Sequence, residues 1–393
     1  MTIDTTKKIE SLIITDQEIC TLAMDVIESI RQDFNNVYYK FLGGELKVLW
    51  SNQNKFNAKA SSSGDLKSPP DHSVTLYYAT AIRIYRDGED LYDFVSSRLN
   101  KYSDLFEKLN LGEPSCLFKD LEKEHFVKNF FFSGLTYLFG HEIGHLVQEH
   151  SYIRRFFCDS DRNLNASGEA SEIEEIEEIE ASASSKQLTR RQSLIWHVTE
   201  LAADHEAITW CLFELVRQAQ EEESIKFSQD DWHRLKENTL IFSCAASCVH
   251  FRFNGVKAVY PDEFPIGTHP HPMLRIEKNV FQIISGLEFF STALGINSSK
   301  AEISKYINKG VISANIFWIE KYFDKNDLDS GLLMLGGVIN NENTKKYMGL
   351  IVNEWEIIRE CVESIKRYKP FNAGNQDLGL MFFDENFKKE FTK

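Results

Sequence analysis

Two histidines and a glutamate in the stretch His141-Glu142-Ile143-Gly144-His145 have the residue types and the spacing of a metal-dependent hydrolase. Residues four positions apart on a helix share a face, so the imidazoles of His141 and His145 can bind one ion. Glu142 is adjacent to the first histidine, where a carboxylate can act as the general base toward a water. The pattern therefore predicts a zinc site that lies on a helix and activates water.

A zinc ion needs a third protein ligand, and the best candidate is Glu200 on a later helix. Glu200 and Asp204 stand four residues apart in the string ELAAD and so face the same way. We expect Glu200 to bind the metal and Asp204 to accept a hydrogen bond from the far nitrogen of a ligand histidine. His197 lies one turn before Glu200, and we expect it to pack beside the ligands or to serve as an alternative ligand.

A third segment, THPHPMLRI at residues 268–276, follows these two in the chain. With HExxH first, ExxAD second and THPxxxxR third, the chain resembles the gluzincin zinc metallopeptidases, and in particular the soluble relatives of the HtpX and CAAX-prenyl endoprotease branch. The resemblance covers about a third of the chain. It leaves residues 1–72 and 285–393 without a counterpart.

The resemblance assigns metal-binding roles to residues of this sequence. It implies that His141, His145 and Glu200 bind one zinc ion per chain. It also implies that Glu142 is the general base and that Asp204 orients a ligand histidine.

The resemblance also assigns roles in the third segment. It implies that His269 lies near the substrate carbonyl and helps to stabilise the oxyanion, a position where a donor meets developing negative charge. It implies that Arg275 lies nearby and holds that turn or the substrate. His271 has no counterpart in the pattern, and His150 is interpreted as a cationic residue that caps a helix.

The function that these residues predict is hydrolysis of peptide bonds in a cytosolic protein by metal-activated water, the reaction of a zinc endopeptidase. The fold that goes with it is α+β and mainly helical. It has a zincin-like catalytic domain, a small β-sheet above the HExxH helix, and a helical C-terminal region. Two other functions stay open: a catalytically silent or regulated gluzincin-like binding protein, and a host-defence protease of the Lit type.

Hydrophobic periodicity predicts the elements that must position these residues. Helices are expected at 13–34, 126–150, 193–218 and 230–253, strands at 46–50 and 73–85, and a loop at 57–71. The strand at 73–85, rich in β-branched and aromatic residues, is expected to bind extended substrate as an edge strand.

Three regions are expected from the distribution of motifs. They are an N-terminal α/β region at 1–118 that contributes the substrate-side sheet, a catalytic core at 119–284, and a helical accessory region at 285–393. The core carries an insertion at 159–192 that contains the acidic run EASEIEEIEEIEASASS. Isoleucine at every third position drifts off one helical face, so we expect a solvated segment that could bind a basic regulatory partner.

Composition limits the partners of the chain. Its 393 residues include 44 Lys and Arg against 59 Asp and Glu, a net charge of −15. This balance argues against nucleic acid and anionic lipid as partners, because both are bound mainly through cationic side chains. The sequence predicts a protein or peptide substrate instead.

The cysteines and the apolar runs bear on location. The 7 cysteines are scattered and form no CxxC pair, which is typical of reduced thiols. No apolar run reaches the length of a transmembrane helix, and no signal peptide is recognised. We therefore expect a cytoplasmic protein without membrane insertion.

Overall fold

A computed structural model describes residues 14–63, 66–114, 117–118, 121–158, 188–220, 227–254, 263–323 and 341–367. Within these residues the chain is α+β and mainly helical, as the sequence predicts. The acidic run of the predicted insertion lies outside the described residues, so its role toward a regulatory partner stays a prediction.

The helices account for most of the described chain. In chain order they are α1 (Asp16–Phe34), α2 (Lys40–Leu42), α3 (Tyr78–Ser97), α4 (Ser103–Lys108), α5 (Lys123–Val147), α6 (His150–Cys158), α7 (Arg190–Ala219), α8 (Gln229–Asn254), α9 (Pro272–Ala293), α10 (Lys300–Tyr322) and α11 (Glu342–Ile365). A π-helical turn at Asn35–Tyr39 joins α1 to α2, and a 3-10 turn at Leu99–Tyr102 joins α3 to α4.

Among the described residues, three strands form one small sheet: β1 (Glu45–Ser51), β2 (Ala58–Ser63) and β3 (Asp71–Tyr77). The order is β1-β3-β2, with β1 parallel and β2 antiparallel to the central strand β3. Strand β2 therefore lies at an edge, and it packs against α5, the helix that carries HExxH.

The prediction of a loop at 57–71 is wrong, because this stretch contains β2. Its sequence, AKASSS, lacks the β-branched and aromatic residues that signal a strand. Pairing along β3, from Ala58 opposite Leu76 to Ser63 opposite Asp71, supplies the backbone hydrogen bonds instead. A partner strand that is distant in sequence decides the conformation here.

The strand predicted at 73–85 is correct only as far as Tyr77, where α3 takes over. Asp87 and Gly88, a pair typical of turns, lie inside α3. Asp87 is buried and pairs with Arg252 of α8, and a Cβ on Gly88 would lie 2.9 Å from Cδ1 of Phe130. Tertiary contacts with α5 and α8 thus give these two residues a place in a helix.

Helices α5 and α7 pack closely at the point where both carry candidate ligands. A Cβ added to Gly144 would come within 2.9 Å of the Cα and the carbonyl oxygen of Ala203. Gly140 lies similarly against Ala207, at 3.4 Å from its Cα. Small residues on both helices therefore bring the two backbones together.

The three predicted regions share one core. Buried side chains such as Ile27, Phe139 and Trp355, one from each region, belong to a single apolar cluster. Helix α9 continues without a break through the boundary predicted between residues 284 and 285. The division into 1–118, 119–284 and 285–393 stays a prediction about organisation.

None of the helices in the described part of the chain is both long enough and apolar enough to cross a bilayer. The described cysteines Cys20, Cys211, Cys244, Cys248 and Cys361 are free thiols.

Candidate functional site

Three buried side chains, His141 and His145 of α5 and Glu200 of α7, converge on one point. Nε2 of His145 lies 3.1 Å from Nε2 of His141 and 3.2 Å from Oε1 of Glu200. Nε2 of His141 lies 3.4 Å from Oε2 of Glu200. Ligand atoms about 2.0–2.1 Å from a tetrahedral ion are about 3.3 Å apart, so the spacing fits such an ion.

The chemistry of these donors also suits a metal ion. Two imidazoles and a carboxylate are the ligand types of zinc and of other divalent metals that imidazole binds well. Oε2 of Glu200 is buried, and its nearest donors within the described residues, Nε2 of His141 and Nη1 of Arg275, lie 3.4 and 3.5 Å away. A buried carboxylate oxygen with only such long contacts is costly, and a bound cation would satisfy it. The group can therefore hold one metal ion.

Asp204 lies where the sequence predicts, behind the first ligand histidine. Its Oδ1 is 2.9 Å from Nδ1 of His141, so it can accept the proton of that nitrogen while Nε2 faces the metal position. Arg275 donates two hydrogen bonds to Asp204, at 2.8 and 2.7 Å, and the hydroxyl of Tyr137 donates a third at 2.8 Å. Burial alone would raise the pKa of Asp204, but Arg275 and His141 hold it well below its ordinary value.

The two candidate ligand histidines differ in their protonation. Burial opposes a charge on His141, but hydrogen bonds to Asp204 and Glu200 outweigh it and raise its pKa to about 9. Burial lowers the pKa of His145 to about 3. Without metal, His141 is therefore protonated on both ring nitrogens and positively charged at neutral pH. His145 is neutral, which is the state in which a histidine binds a metal.

Glu142 faces a cavity of about 290 Å³ that opens beside the three candidate ligands. Burial raises the pKa of this carboxyl to about 7, although the neighbouring His141 works in the opposite direction. A carboxyl with a pKa near the working pH is suited to exchange protons. The cavity is lined by Phe56, Asn57, Ala58, Lys59, Tyr137, Leu138, His141, Glu142, His145, Arg154, Glu200, Val249, His250, Phe253, His269 and Arg275.

His269 reaches this cavity from the loop before α9. Its side chain is 38% exposed, and its Nε2 lies 3.8 Å from Oε2 of Glu200. Arg275 also lines the cavity, but its hydrogen bonds hold Asp204, and its Nη1 is 3.5 Å from Oε2 of Glu200. The structure thus brings both residues of the third segment to the site.

His197 and His271 take other positions. Nδ1 of His197 lies 2.7 Å from the hydroxyl of Tyr347 on α11, and His197 does not line the cavity. Burial lowers the pKa of His197 to about 3, so it packs as a neutral ring. His271 is the N-cap of α9 and accepts a hydrogen bond from the backbone nitrogen of Met273.

The edge strand beside the cavity is β2, and the prediction that assigned this role to 73–85 is wrong. Strand β3, which lies within that range, is paired on both sides, by β1 and by β2. Ala58 and Lys59 of β2 line the cavity together with Phe56 and Asn57. The sequence did not predict this strand, because its small side chains resemble those of a loop.

Sequence reasoning missed Arg154. This buried arginine of α6 donates to Oε1 of Glu200 at 2.9 Å and to the hydroxyl of Thr199 at 2.8 Å. Its guanidinium carbon lies 3.9 Å from the ring centre of Trp196. No motif marks this position, because the arginine reaches the site only through the packing of α6 on α7.

His150 was assigned the wrong role. It begins α6 rather than ending α5, and only 1% of its surface is exposed. Burial holds its pKa well below the ordinary value, so it carries no charge with which to cap a helix. Its Nδ1 lies 2.8 Å from Nδ1 of His145.

Tyr137 and His250 form a second missed group behind the site. The hydroxyl of Tyr137, which bonds Asp204, also lies 2.8 Å from Nε2 of His250. Asn279 donates to the hydroxyl of Tyr137 at 3.0 Å. Tyr137 stands four residues before His141, and this helical spacing is the signal that could have found it.

Comparison with known proteins adds no assignment to this geometry. No protein-family model, no curated protein and no solved structure matches the chain.

Proposed function

We propose that the protein is a zinc-dependent endopeptidase that hydrolyses peptide bonds of a protein substrate. The observation that carries the proposal is the buried His141, His145 and Glu200 group with Glu142 on the same cavity. The order of HExxH, ExxAD and THPxxxxR, which resembles that of the gluzincins, supports the same reaction. Hydrolysis needs both parts, a metal position and an adjacent proton acceptor.

A zinc ion held by these three residues supplies Lewis acidity, which polarises a carbonyl group and makes a water more acidic. Glu142 would accept the proton of the attacking water and pass it to the leaving amine. His269, at the open side of the cavity, would donate a hydrogen bond to the carbonyl oxygen as negative charge develops there. Arg275 would act indirectly, because it fixes Asp204 and through it the ring of His141.

The walls of the cavity suit an extended polypeptide. Four consecutive residues, Phe56 to Lys59, line the cavity where the chain enters β2, so extended backbone borders the site. The rings of Phe56 and Phe253 meet edge to face at 5.0 Å and form an apolar side of the cavity. We therefore propose that a substrate places an apolar side chain against these rings.

The proposed substrate is a cytoplasmic protein. The net charge of −15 disfavours nucleic acid, and the free thiols of the described cysteines suit a reducing compartment.

The experiment compares purified wild type, His141→Ala and Glu142→Gln for metal content and for cleavage of casein. We expect about one zinc per wild-type chain, its loss in His141→Ala, and full metal content in Glu142→Gln. Cleavage should fall by about 10²- to 10⁴-fold in Glu142→Gln, because the proton acceptor is removed and the ligands stay. Treatment with a chelator should abolish wild-type cleavage, and added zinc should restore it.

Three outcomes would count against the proposal. Wild type without bound metal after zinc loading would remove the metal site. Equal cleavage by wild type and Glu142→Gln would remove the assigned base. Metal binding without cleavage of casein or of a broad proteome digest would favour the catalytically silent binding protein.

A further inference from the structure

The chain makes a turn shortly after HExxH. Helix α5 ends at Val147, and Glu149 adopts φ 51°, in the left-handed region, before α6 begins at His150. On a continuous helix a residue five positions after His145 would point to another face. The turn instead returns His150 to His145, and their Nδ1 atoms lie 2.8 Å apart.

The direction of this hydrogen bond follows from the metal position. His145 offers Nε2 to the metal, so its Nδ1 carries the proton and donates. Nδ1 of His150 must then accept, and a neutral His150 carries its proton on Nε2. That nitrogen lies 3.0 Å from Oε1 of Gln148, which can only accept.

The same direction continues to a buried carboxylate. Nε2 of Gln148 donates to Oε1 of Glu206 at 3.0 Å. Nζ of Lys366, just after α11, lies 3.1 Å from the same oxygen, with both side chains at most 3% exposed. These hydrogen bonds form a relay that runs from His145 through His150 and Gln148 to Glu206. Every donor in the relay faces an acceptor.

We propose that His150 is a positioning residue for the metal ligand His145, and that Gln148, Glu206 and Lys366 hold it in that role. His141 has a carboxylate, Asp204, directly behind it, whereas His145 has one at the end of a relay. A partner on the far nitrogen orients a ligand imidazole and makes it more basic. The inference rests on the proposed metal site and does not require peptidase activity.

The turn that carries His150 is itself held by the end of the described C-terminal helix. The backbone nitrogen of Arg367 donates to the carbonyl of Val147 at 3.0 Å, and its side chain pairs with Glu149. Arg367 also donates to the carbonyl of Leu66 at 2.9 Å. Lys366 and Arg367 thus place the end of α11 behind one metal ligand.

The first test measures zinc affinity by competition with a chromophoric chelator in wild type, His150→Leu and His150→Asn. Leucine fills the space without an acceptor, whereas Oδ1 of asparagine can take the position of Nδ1. We expect an affinity loss of about 10- to 100-fold in His150→Leu and a much smaller loss in His150→Asn. His205→Leu, at a buried histidine of α7 outside the relay, is the matched control and should bind zinc like wild type.

Cobalt substitution gives a reading that simple loss of stability would not move. The visible absorption of bound Co²⁺ reports the arrangement of its ligands, so the bands should shift in His150→Leu and stay unchanged in His205→Leu. The double variant Glu206→Gln, Lys366→Met removes the ion pair at the far end of the relay. Its zinc affinity should lie between those of wild type and His150→Leu.

Nitrogen-15 NMR of the histidines in the zinc-loaded wild type tests the relay without any substitution. The relay requires a proton on Nδ1 of His145 and on Nε2 of His150. A proton on Nδ1 of His150, or unchanged zinc affinity in a folded His150→Leu, would overturn the inference while the metal site itself stood. Absence of zinc binding in wild type would instead remove the proposed function.

Discussion

Four buried charged groups, two carboxylates and two guanidinium groups, lie around the proposed metal position. Arg154 bonds Glu200, and Arg275 bonds Asp204, so each carboxylate has a guanidinium partner. Burial would favour neutral carboxyl groups. The nearby His269, His145 and His141 nevertheless hold the pKa of Glu200 well below its ordinary range, and Arg275 and His141 do the same for the pKa of Asp204. Glu200 is therefore an anion before metal arrives, which is the state a metal ligand needs.

The role of Asp204 gives a prediction about metal affinity. Asp204→Asn keeps the shape of the side chain but removes the charge that holds the ring of His141. We expect zinc affinity to fall by about 10- to 100-fold, measured by chelator competition. An unchanged affinity would contradict the assignment of Asp204 to this role.

Arg154 gives a prediction about stability without metal. Arg154→Met leaves the buried carboxylate of Glu200 without its guanidinium, and breaking such a pair costs about 3–5 kcal/mol. A bound zinc ion would replace the lost positive charge. We therefore expect zinc to raise the melting temperature of Arg154→Met more than that of wild type. Equal increases in calorimetry would show that Arg154 does not balance Glu200.

Close packing between α5 and α7 positions the ligands at the scale of the element. The HExxH helix was predicted because its apolar run and its spaced histidines are local signals. The end of this helix at Val147 was not predicted, because the turn at Glu149 depends on Arg367, which is distant in sequence. The prediction for His150 failed for the same reason.

A matched pair of glycines tests this packing. Gly144→Ala places a methyl group 2.9 Å from the backbone of Ala203, where no rotamer change can relieve the contact. We expect a loss of about 1–3 kcal/mol in the free energy of unfolding and weaker zinc binding.

Gly140→Ala is the control, because its new methyl would lie at 3.4 Å or more from α7. Alanine favours helix over glycine by up to about 1 kcal/mol, so this variant should be neutral or more stable in urea unfolding. A Gly144→Ala protein as stable as Gly140→Ala would contradict the close approach of the helices.

At the scale of the whole molecule, local patterns and tertiary contacts differ in what the sequence reveals. Helical spacing predicts that His141 pairs with His145 and Glu200 with Asp204 on one face of each helix, and the structure brings these four side chains together. The edge strand β2 and the start of α3 at Tyr78 were not predicted, because pairing and burial against distant segments decide them. Arg154 and Lys366 likewise reach the site only in the folded chain.

The pH dependence of the metal-free protein follows from His141. Its pKa is raised from 6.5 to about 9 on folding, so its charged form contributes stability that is present below pH 6.5 and is lost as pH rises through 9. Zinc must displace this proton. We therefore expect zinc affinity to rise about tenfold per pH unit between pH 7 and pH 9, with one proton released.

Calorimetric titration with zinc, in buffers of different ionisation enthalpy at pH 7, measures that proton directly. Asp204→Asn, which removes a carboxylate that raises the pKa of His141, should release less than one proton. Zinc binding without proton release in wild type would contradict the charged state assigned to His141.

We propose that Glu142, beside the three candidate ligands, makes this protein a peptidase. Mass spectrometry of protein N-termini, in cells that express wild type or Glu142→Gln at equal levels, tests this proposal. We predict new N-termini in one or a few proteins with wild type alone, with an apolar residue recurring next to the cleaved bond. Identical N-termini in the two samples, with zinc bound to both proteins, would contradict it.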